Sequence, residues 1–341
     1  MEQSIGLDGS LKDTFLSVRE GGKRIWRGKC PSDPRLIAEV IRRHAANAER
    51  IVFETGPLSV WFHHAPKQEG LSAIRVDARH ARAAPDMARN KTDANDADGL
   101  AHLAEAGFCR EVRAKSLDSM PTRTPVAARN RMLKAATRMS NRIRGLMKTF
   151  GLVVPRGAGR VFEGDVRSLL AGNVGLGQII LPVLEAWRGL RARVAEPGKQ
   201  LVAPARTSAQ CQLPSSIPGV GAVTASSFVA AIEDPENFRK SRSVGAWIGL
   251  TTRRYQSGEV DCDGHMSRRG DNHLRGVLYE AAVVILTRTM ADSALRIRGL
   301  KLRQKIGFRR AAVAVARKPA VIMHTMPGTG EVFNRSITAE G

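Results

Sequence analysis

The chain has 341 residues, of which 43% are hydrophobic, and its 54 Lys and Arg outnumber 32 Asp and Glu to give a formal net charge of +22. That composition excludes a disordered polymer and supplies material for two or more domains with their own cores. The cationic excess asks for a polyanionic partner, most simply nucleic acid. No apolar span, lipidation signal or secretory h-region supports a membrane role. The four cysteines, Cys30, Cys109, Cys211 and Cys262, form no Cys-x-x-Cys pair. They speak against a zinc module or disulfide framework and fit a reducing compartment. His63-His64 is the only histidine pair; neighbours in sequence do not share a helix face, so it reads as surface.

In chain order, Ser4–Asp8 alternates as a strand does, with Asp8 at its C-terminal end. Thr14–Val18 and Lys23–Trp26 read as two further strands joined at Gly21-Gly22. Residues 34–47 carry Leu36, Ile37, Val40 and Ile41 at helical spacing, and Ile51–Glu54 is a short apolar run ending before the turn Thr55-Gly56-Pro57. A helix through Trp61 and a strand at Ile74–Val76 follow. This order predicts an α/β sheet, whose functional groups gather at the carboxyl ends of strands. Asp8 and Glu54 both stand at such ends.

Residues 91–98, Lys-Thr-Asp-Ala-Asn-Asp-Ala-Asp, read as the first turns of a helix with Thr92 or Asp93 near the N-cap and Ala97, Leu100, Ala101 and Leu103 on its apolar face. Asp93 and Asp96, three apart, share one face. Two carboxylates so close oppose each other's ionisation unless a cation lies between them, and Mg²⁺ favours carboxylate and water oxygens. The plainer alternative is a solvated helix start with acids at the positive end of the dipole. If strands one and four are neighbours, Asp8 and Glu54 meet, and the acidic helix can complete four carboxylates. That set suits a two-metal site with ions roughly 3.5–4 Å apart for displacement at phosphorus.

The strings Gly-Leu-Asp-Gly-Ser-Leu-Lys from Gly6, Val-Phe-Glu-Thr-Gly from Val52 and Lys-Thr-Asp-Ala-Asn-Asp-Ala from Lys91 resemble the DEDD transposases, the insertion-sequence recombinases of the one-ten family. The resemblance implies a RuvC-like N-terminal domain of the ribonuclease H type. It assigns the family's four acids to Asp8, Glu54, Asp93 and Asp96, with Mg²⁺ as cofactor. Asp98 lies outside the quartet and off its face, and reads as structural.

No acidic residue occurs between Asp118 and Glu163, while Arg123, Arg129, Arg131, Lys134, Arg138, Arg142, Arg144 and Lys148 interleave with Met132, Leu133, Ala136, Met139, Ile143, Leu146 and Met147. This is an amphipathic helix with an unrelieved basic face, suited to phosphate through residues such as Arg138 and Arg142 or simply solvated. A second amphipathic segment, Ile179 to Leu190, can pair with it as a hairpin or coiled-coil arm. Gly151–Gly164 and Glu196–Pro204 read as loops.

Ile217-Pro218-Gly219-Val220-Gly221 before a helix resembles a helix-hairpin-helix element, in which Gly219 and Gly221 let backbone amides approach phosphate. Thr251-Thr252-Arg253-Arg254-Tyr255-Gln256-Ser257-Gly258 and Met266-Ser267-Arg268-Arg269-Gly270-Asp271 look like the C-terminal transposase domain of the same family. That resemblance makes Ser257 the nucleophile. Arg253 and Arg254 can hold the scissile phosphate. Tyr255 is a rival nucleophile or a surface for a base to stack on. From the N-cap Asp271 a core helix carries Leu274, Leu278, Ala281, Ala282 and Ile285. A basic tail, Arg296–Arg310, and a helix, Ala311–Met323, finish the chain. Pro121, Pro125 and Pro319 depart from the family's pattern; a proline inside a helix costs roughly 3 kcal/mol, so a decayed copy is one reading.

The expected architecture is α/β plus α: a ribonuclease H/RuvC-like domain at 1–112, a basic helical arm at 113–205 and a mostly helical transposase domain at 206–341. The resemblance implies a DNA transposase or recombinase guided by an RNA that its element encodes. It also implies a homo-oligomer, dimer or tetramer, with sites composed across subunits, in the cytoplasm on the nucleoid. Two alternatives stay open: a metal nuclease that forms no covalent intermediate, and a nucleic-acid-binding protein without catalysis.

Overall fold

The computed structural model describes residues 2–77, 92–109 and 111–335; Lys91 of the acidic string lies outside them. The chain divides into two compact units, 1–116 and 117–341.

The first unit is built on five strands: β1 (Gln3–Gly9), β2 (Asp13–Glu20), β3 (Lys23–Pro31), β4 (Ala48–Glu54) and β5 (Ala73–Val76). Their order is β3-β2-β1-β4-β5. The two hairpin contacts, β1 with β2 and β2 with β3, are antiparallel, while β4 pairs in parallel with both β1 and β5. The expected adjacency of the first and fourth strands is therefore present. Alternation sorts side chains to two faces. Ile5, Leu7, Leu16, Val18, Ile51 and Phe53 form one core with Ile37 and Ile41 of helix α1 (Pro34–His44) and Phe62 of α2 (Ser59–Gln68). Val52 and Val76 pack on the other face against Leu100 and Ala104 of α3 (Asp93–Glu105). This mixed sheet flanked by helices is the ribonuclease H-like arrangement. Asp33 caps α1, accepting from Arg35 N at 2.9 Å and Leu36 N at 3.2 Å. The helix ends at His44, short of the expected residue 47. His63 and His64 on α2 are half-buried, contrary to the surface reading: His64 Nε2 lies 2.8 Å from Lys115 O.

The second unit is mostly helical. Helix α4 (Met120–Lys148), 29 residues long and about 43 Å at 1.5 Å per residue, shares a core with α5 (Arg160–Leu170) and α6 (Val174–Arg193). Ala136, Ile143, Met147, Phe162, Val166, Ile180, Leu184 and Trp187 fill that core. Pro121 occupies the first turn of α4, where an N–H has no partner to lose, and the helix continues through Pro125. Two expectations are corrected. Glu196–Pro204 is not a loop but most of α7 (Ala195–Thr207), which buries Leu201 and Ala205. Arg296–Arg310 is not a tail: α12 (Ala294–Ile306) and the start of α13 (Phe308–Thr329) span it, with Gly307 between them at φ +79°. Charged residues hid a helix whose buried contacts, Leu295 and Gly299, are few.

The remaining helices, α8 (Ala209–Ser215), α9 (Ala222–Ile232), α10 (Arg242–Ile248) and α11 (Asn272–Thr287), join α13 around a second core. Ile217, Phe228, Val244, Ile248, Leu274, Leu278, Ile285, Val315 and Met323 belong to it. Pro319 is buried within α13, which continues past it to Thr329. Elements not anticipated include α5, whose first turn, from Arg160, takes up the end of the expected loop Gly151–Gly164, and a β-hairpin of β6 (Thr252–Ser257) and β7 (Val260–Met266).

Candidate active site

In the first unit, Asp8 and Glu54, both half-buried, stand at the C-terminal ends of the neighbouring strands β1 and β4, beside a cavity of about 300 Å³ that Gly9, Leu58, Ser59 and Phe62 also border. By alternation Asp8 lies on the sheet face of Gly6 and Glu54 on that of Val52, the face α3 covers. Gly6 fixes how closely: a Cβ there would overlap the Ala97 carbonyl and the Ala101 amide. Ionic contacts set the helix direction. Asp98 accepts from Ser17 Oγ at 2.8 Å and Arg19 Nη1 at 3.2 Å. Further along the helix, Glu105 accepts from Arg19 Nε at 3.1 Å and Gly22 N at 2.7 Å. Since Leu16 faces Leu7 and Arg19 faces Ser4, α3 runs from the end of β1 back towards its start. Its first turn, with Asp93 exposed and Asp96 half-buried, thus stands at the sheet end that carries Asp8 and Glu54. Thr92 is the N-cap, its Oγ1 accepting from Asn95 N at 3.2 Å. Asp98 is held by Arg19, Ser17 and Arg24.

The four acids offer only carboxylate oxygens, the donors a hard divalent cation takes. Among the described residues no three His, Cys, Asp or Glu side chains are close enough to hold an ion as they stand. The donor type and the shared end of the sheet fit a metal; the present spacing does not yet form a closed ligand set.

In the second unit, Ser257 is the last residue of β6 and is exposed. It faces Val260 across a two-residue turn, Gly258-Glu259. Gly258 has φ +55° and Glu259 does not have positive φ, which is the pattern of a type II′ hairpin. A Cβ at Gly258 would meet nothing within 4 Å, so the backbone beside the hydroxyl is open to a partner. Every residue of β6 is exposed, including Tyr255 at 61%. Arg254 Nε donates to Asp261 Oδ1 at 2.7 Å, and that bond holds the Asp261 carboxyl below its ordinary range. Among the described residues Arg253 reaches only the Ser267 carbonyl, at 3.4 Å, and carries the freer charge.

The base of the hairpin is clamped in a way that sequence reasoning missed. Gly249, at φ +81°, has no room for a Cβ because of the Arg269 backbone, and Gly270, also at φ +81°, has none because of the Trp247 carbonyl. Arg275 Nη1 ties both sides in, donating to Ile248 O at 2.8 Å and Arg269 O at 3.1 Å. The signal for the hairpin was Ser-Gly-Glu-Val, a Gly-first two-residue turn; the signal for the clamp was the glycine following each apolar or basic pair.

Gly219 and Gly221 differ in role. Gly219 has φ +80°, and a Cβ would stand 2.6 Å from the Ala281 carbonyl. Its freedom serves packing on α11 rather than approach by a ligand. Gly221 is the exposed N-cap of α9, with open space where a Cβ would be. Arg138 and Arg142 are exposed on α4.

Comparison with known sequences places these features. The DEDD-type IS110 model, described as a transposase, matches residues 5–151, and the model described as the transposase IS116/IS110/IS902 family matches residues 211–296. The transposase for insertion sequence element IS1111A of Coxiella burnetii is 32% identical over 269 residues, covering 77% of this chain and 73% of that protein. The transposase for insertion sequence element IS1328 of Yersinia enterocolitica is 26% identical over 266 residues, covering 74% of this chain and 76% of that protein. Among the described residues no helix is long and apolar enough to cross a membrane. With an acid-bearing ribonuclease H-like unit before it and a helical transposase unit behind it, the chain belongs to the IS116/IS110/IS902 family and is a DNA transposase.

Proposed function

We propose that this transposase cuts and rejoins DNA with two sets of side chains: Asp8, Glu54, Asp93 and Asp96 as Mg²⁺ ligands, and Ser257 as nucleophile. The bound metal would supply charge neutralisation at the reacting phosphate oxygens. The four carboxylates would hold it once the first turn of α3 and the ends of β1 and β4 draw together. Ser257 Oγ gives up its proton to solvent as it attacks the scissile phosphorus, a phosphoserine ester forms as the bond from phosphorus to the strand's sugar oxygen breaks, and that oxygen leaves and takes up a proton from solvent. Attack on that ester by the hydroxyl of a second strand releases Ser257 and rejoins DNA. Arg253 supplies positive charge beside the serine, and Tyr255 offers a ring on which an unpaired base can stack. An RNA encoded by the element would choose the sequence by base pairing while the protein reads backbone and shape, as in other guided enzymes. Oligomerisation, as dimer or tetramer, would let acids of one copy and the serine of another serve the same DNA.

The observation that carries this reading is the delivery of Asp8 and Glu54 by adjacent parallel strands to one end of the sheet, on the face that α3 covers, with α3 bringing two more acids to the same end. The test is recombination of a plasmid bearing the element's ends, with wild type, Asp93→Asn and Ser257→Ala, with and without the element's noncoding RNA. Wild type with RNA recombines; both variants fall to background, and omission of the RNA does the same. A nicked substrate traps a covalent protein–DNA adduct with wild type and none with Ser257→Ala. Strand cleavage retained in full by Ser257→Ala would favour the nuclease alternative, and recombination by both variants would remove the proposal.

A further inference from the structure

A second cavity, about 440 Å³, lies wholly within the second unit, between α4, α9 and the start of α11. One wall is a cationic stripe. Arg123, Arg131, Lys134 and Arg138 fall with Asn130 within an arc of about 100° on α4, so one helix face presents four positive charges along some 22 Å. Arg123 is partly committed, donating to Ala230 O at 2.8 Å. Arg131, Lys134 and Arg138 are exposed, and among the described residues none of them makes an ion pair with an acid. The single carboxylate in the lining, Asp271, caps α11 through His273 N at 2.8 Å and Leu274 N at 3.0 Å. The wall from α9 is small and apolar, formed by Ala230 and Ala231, and Val126 and Ala127 of α4 add apolar surface beside the charges. A cluster of like charges around a hollow is self-repelling, and an anion relieves it.

Ser227 and His273 also meet here, 3.2 Å apart. They do not form a nucleophile–base pair. The Ser227 hydroxyl donates to Val223 O at 2.6 Å, so its one proton is spent and His273 Nε2 must donate to it. Burial lowers the His273 pKa, and Arg129 and Lys134 push it the same way against Asp271. The imidazole therefore adds no positive charge near pH 7 to that of α4.

We propose that this cavity is a binding pocket for one sugar–phosphate unit of an unpaired nucleic-acid strand, with Arg131, Lys134 and Arg138 on the phosphates and the Ala230–Ala231 wall against the sugar. Its volume lies in the small-ligand range of about 300–1,000 Å³, far too small for a duplex to enter. Arg142, exposed one turn past Arg138 on α4 and outside the lining, extends the positive charge beyond the cavity, so the strand can continue along the helix. The chemistry is common to RNA and single-stranded DNA, and rests on the nucleic-acid reading of the chain.

The experiment uses the full chain and 5′-fluorescein 20-mers of mixed sequence: RNA, single-stranded DNA and duplex DNA, followed by fluorescence anisotropy over a salt series. The triple variant Arg131→Gln/Lys134→Gln/Arg138→Gln is compared with a charge-matched control, Arg27→Gln/Arg43→Gln/Lys67→Gln, whose exposed residues lie in the first unit. We expect the cavity triple to weaken single-strand binding at least about tenfold at 0.15 M salt, to reduce the log–log salt slope by about 0.7 for each phosphate no longer engaged, and to affect the duplex less. A loss confined to RNA or to DNA assigns the pocket to that strand; an equal loss assigns it to the shared backbone. Equal behaviour of the two triples overturns the pocket, as does an equal loss for the duplex. Should the triple fail to fold by circular dichroism, photo-crosslinking of a 4-thiouridine strand to wild type decides the matter: crosslinks within 123–138, 227–231 or 271–273 support it and their absence overturns it. The pocket and the catalytic proposal fail separately, since a cavity triple that binds normally leaves the effect of Asp93→Asn on recombination untouched.

Discussion

Ser257 stands at the tip of an exposed hairpin, and its side chain contributes nothing to a core. A surface substitution of this kind changes stability by no more than about 0.5 kcal/mol. Ser257→Ala is therefore expected to unfold in urea with wild-type midpoint while losing the covalent DNA adduct entirely. A shifted midpoint would mean that lost activity reports a lost fold. Tyr255→Phe keeps the ring and removes the rival hydroxyl, and is expected to retain the adduct. At this scale the sequence was partly legible. Asp8 and Glu54 could be placed because strand-end position follows from local pattern. The competition for Arg254 could not: Asp261 is seven residues away and meets it diagonally, only because the hairpin register puts Gln256 opposite Asp261 and Arg254 opposite Asp263.

Packing of whole elements turns on positions where backbone meets backbone. Gly6 lets α3 lie against β1, and the atoms a Cβ would strike belong to the backbone at Ala97 and Ala101, which no side-chain rotation can clear. Gly6→Ala is expected to cost about 1–3 kcal/mol, the range for forced overpacking, and to lower recombination by displacing Asp93 and Asp96. Both are read by urea unfolding and the plasmid assay; unchanged stability with unchanged recombination would show that α3 is not held this closely. Pro319 invites the opposite substitution. Restoring a helix N–H is worth roughly 3 kcal/mol, while deleting two buried carbons forfeits about 1.6 kcal/mol. The difference favours Pro319→Ala by about 1 kcal/mol, which for a unit of this size raises the melting temperature by about 2–4 °C. A fall would mean that α13 is built around the ring. Elements with a one-sided apolar pattern, β1, β4, α3, α4 and α11, were readable from residue spacing. The hairpin was not, because neither of its faces is buried and alternation leaves no trace. Two strands alone are marginal in water, so Gly249, Gly270 and Arg275 must hold it from below. The helical character of Glu196–Pro204 was masked by prolines whose penalty the burial of Leu201 and Ala205 offsets, and that of Arg296–Arg310 by charges that leave little apolar periodicity to read.

At the scale of the whole molecule the formal charge of +22 and the proposed acid quartet make opposing demands on the same polyanion. The cations draw nucleic acid in, and each neutralised phosphate releases counterions, so affinity is expected to fall by about 10³–10⁵ between 50 and 200 mM salt if six to ten phosphates are engaged. Four carboxylates facing a phosphate repel it until a cation intervenes. Neutralising them as Asp8→Asn/Glu54→Gln/Asp93→Asn/Asp96→Asn removes four negative charges and takes the net charge from +22 to +26. Chemistry and attraction should then separate. In EDTA the quadruple variant is expected to bind the element's DNA as tightly as wild type or several-fold more tightly, with the same salt slope. In Mg²⁺ it is expected to recombine nothing, since removing even one charge-stabilising group from a reaction centre costs about 10²–10³ in rate. Weaker binding in EDTA would mean that the acids organise the fold or contact DNA favourably through donors of their own. Recombination at a wild-type rate would place the reaction elsewhere in the chain. Binding kept while recombination is lost is the outcome that a protein with an electrostatic grip and a distinct acid centre must give.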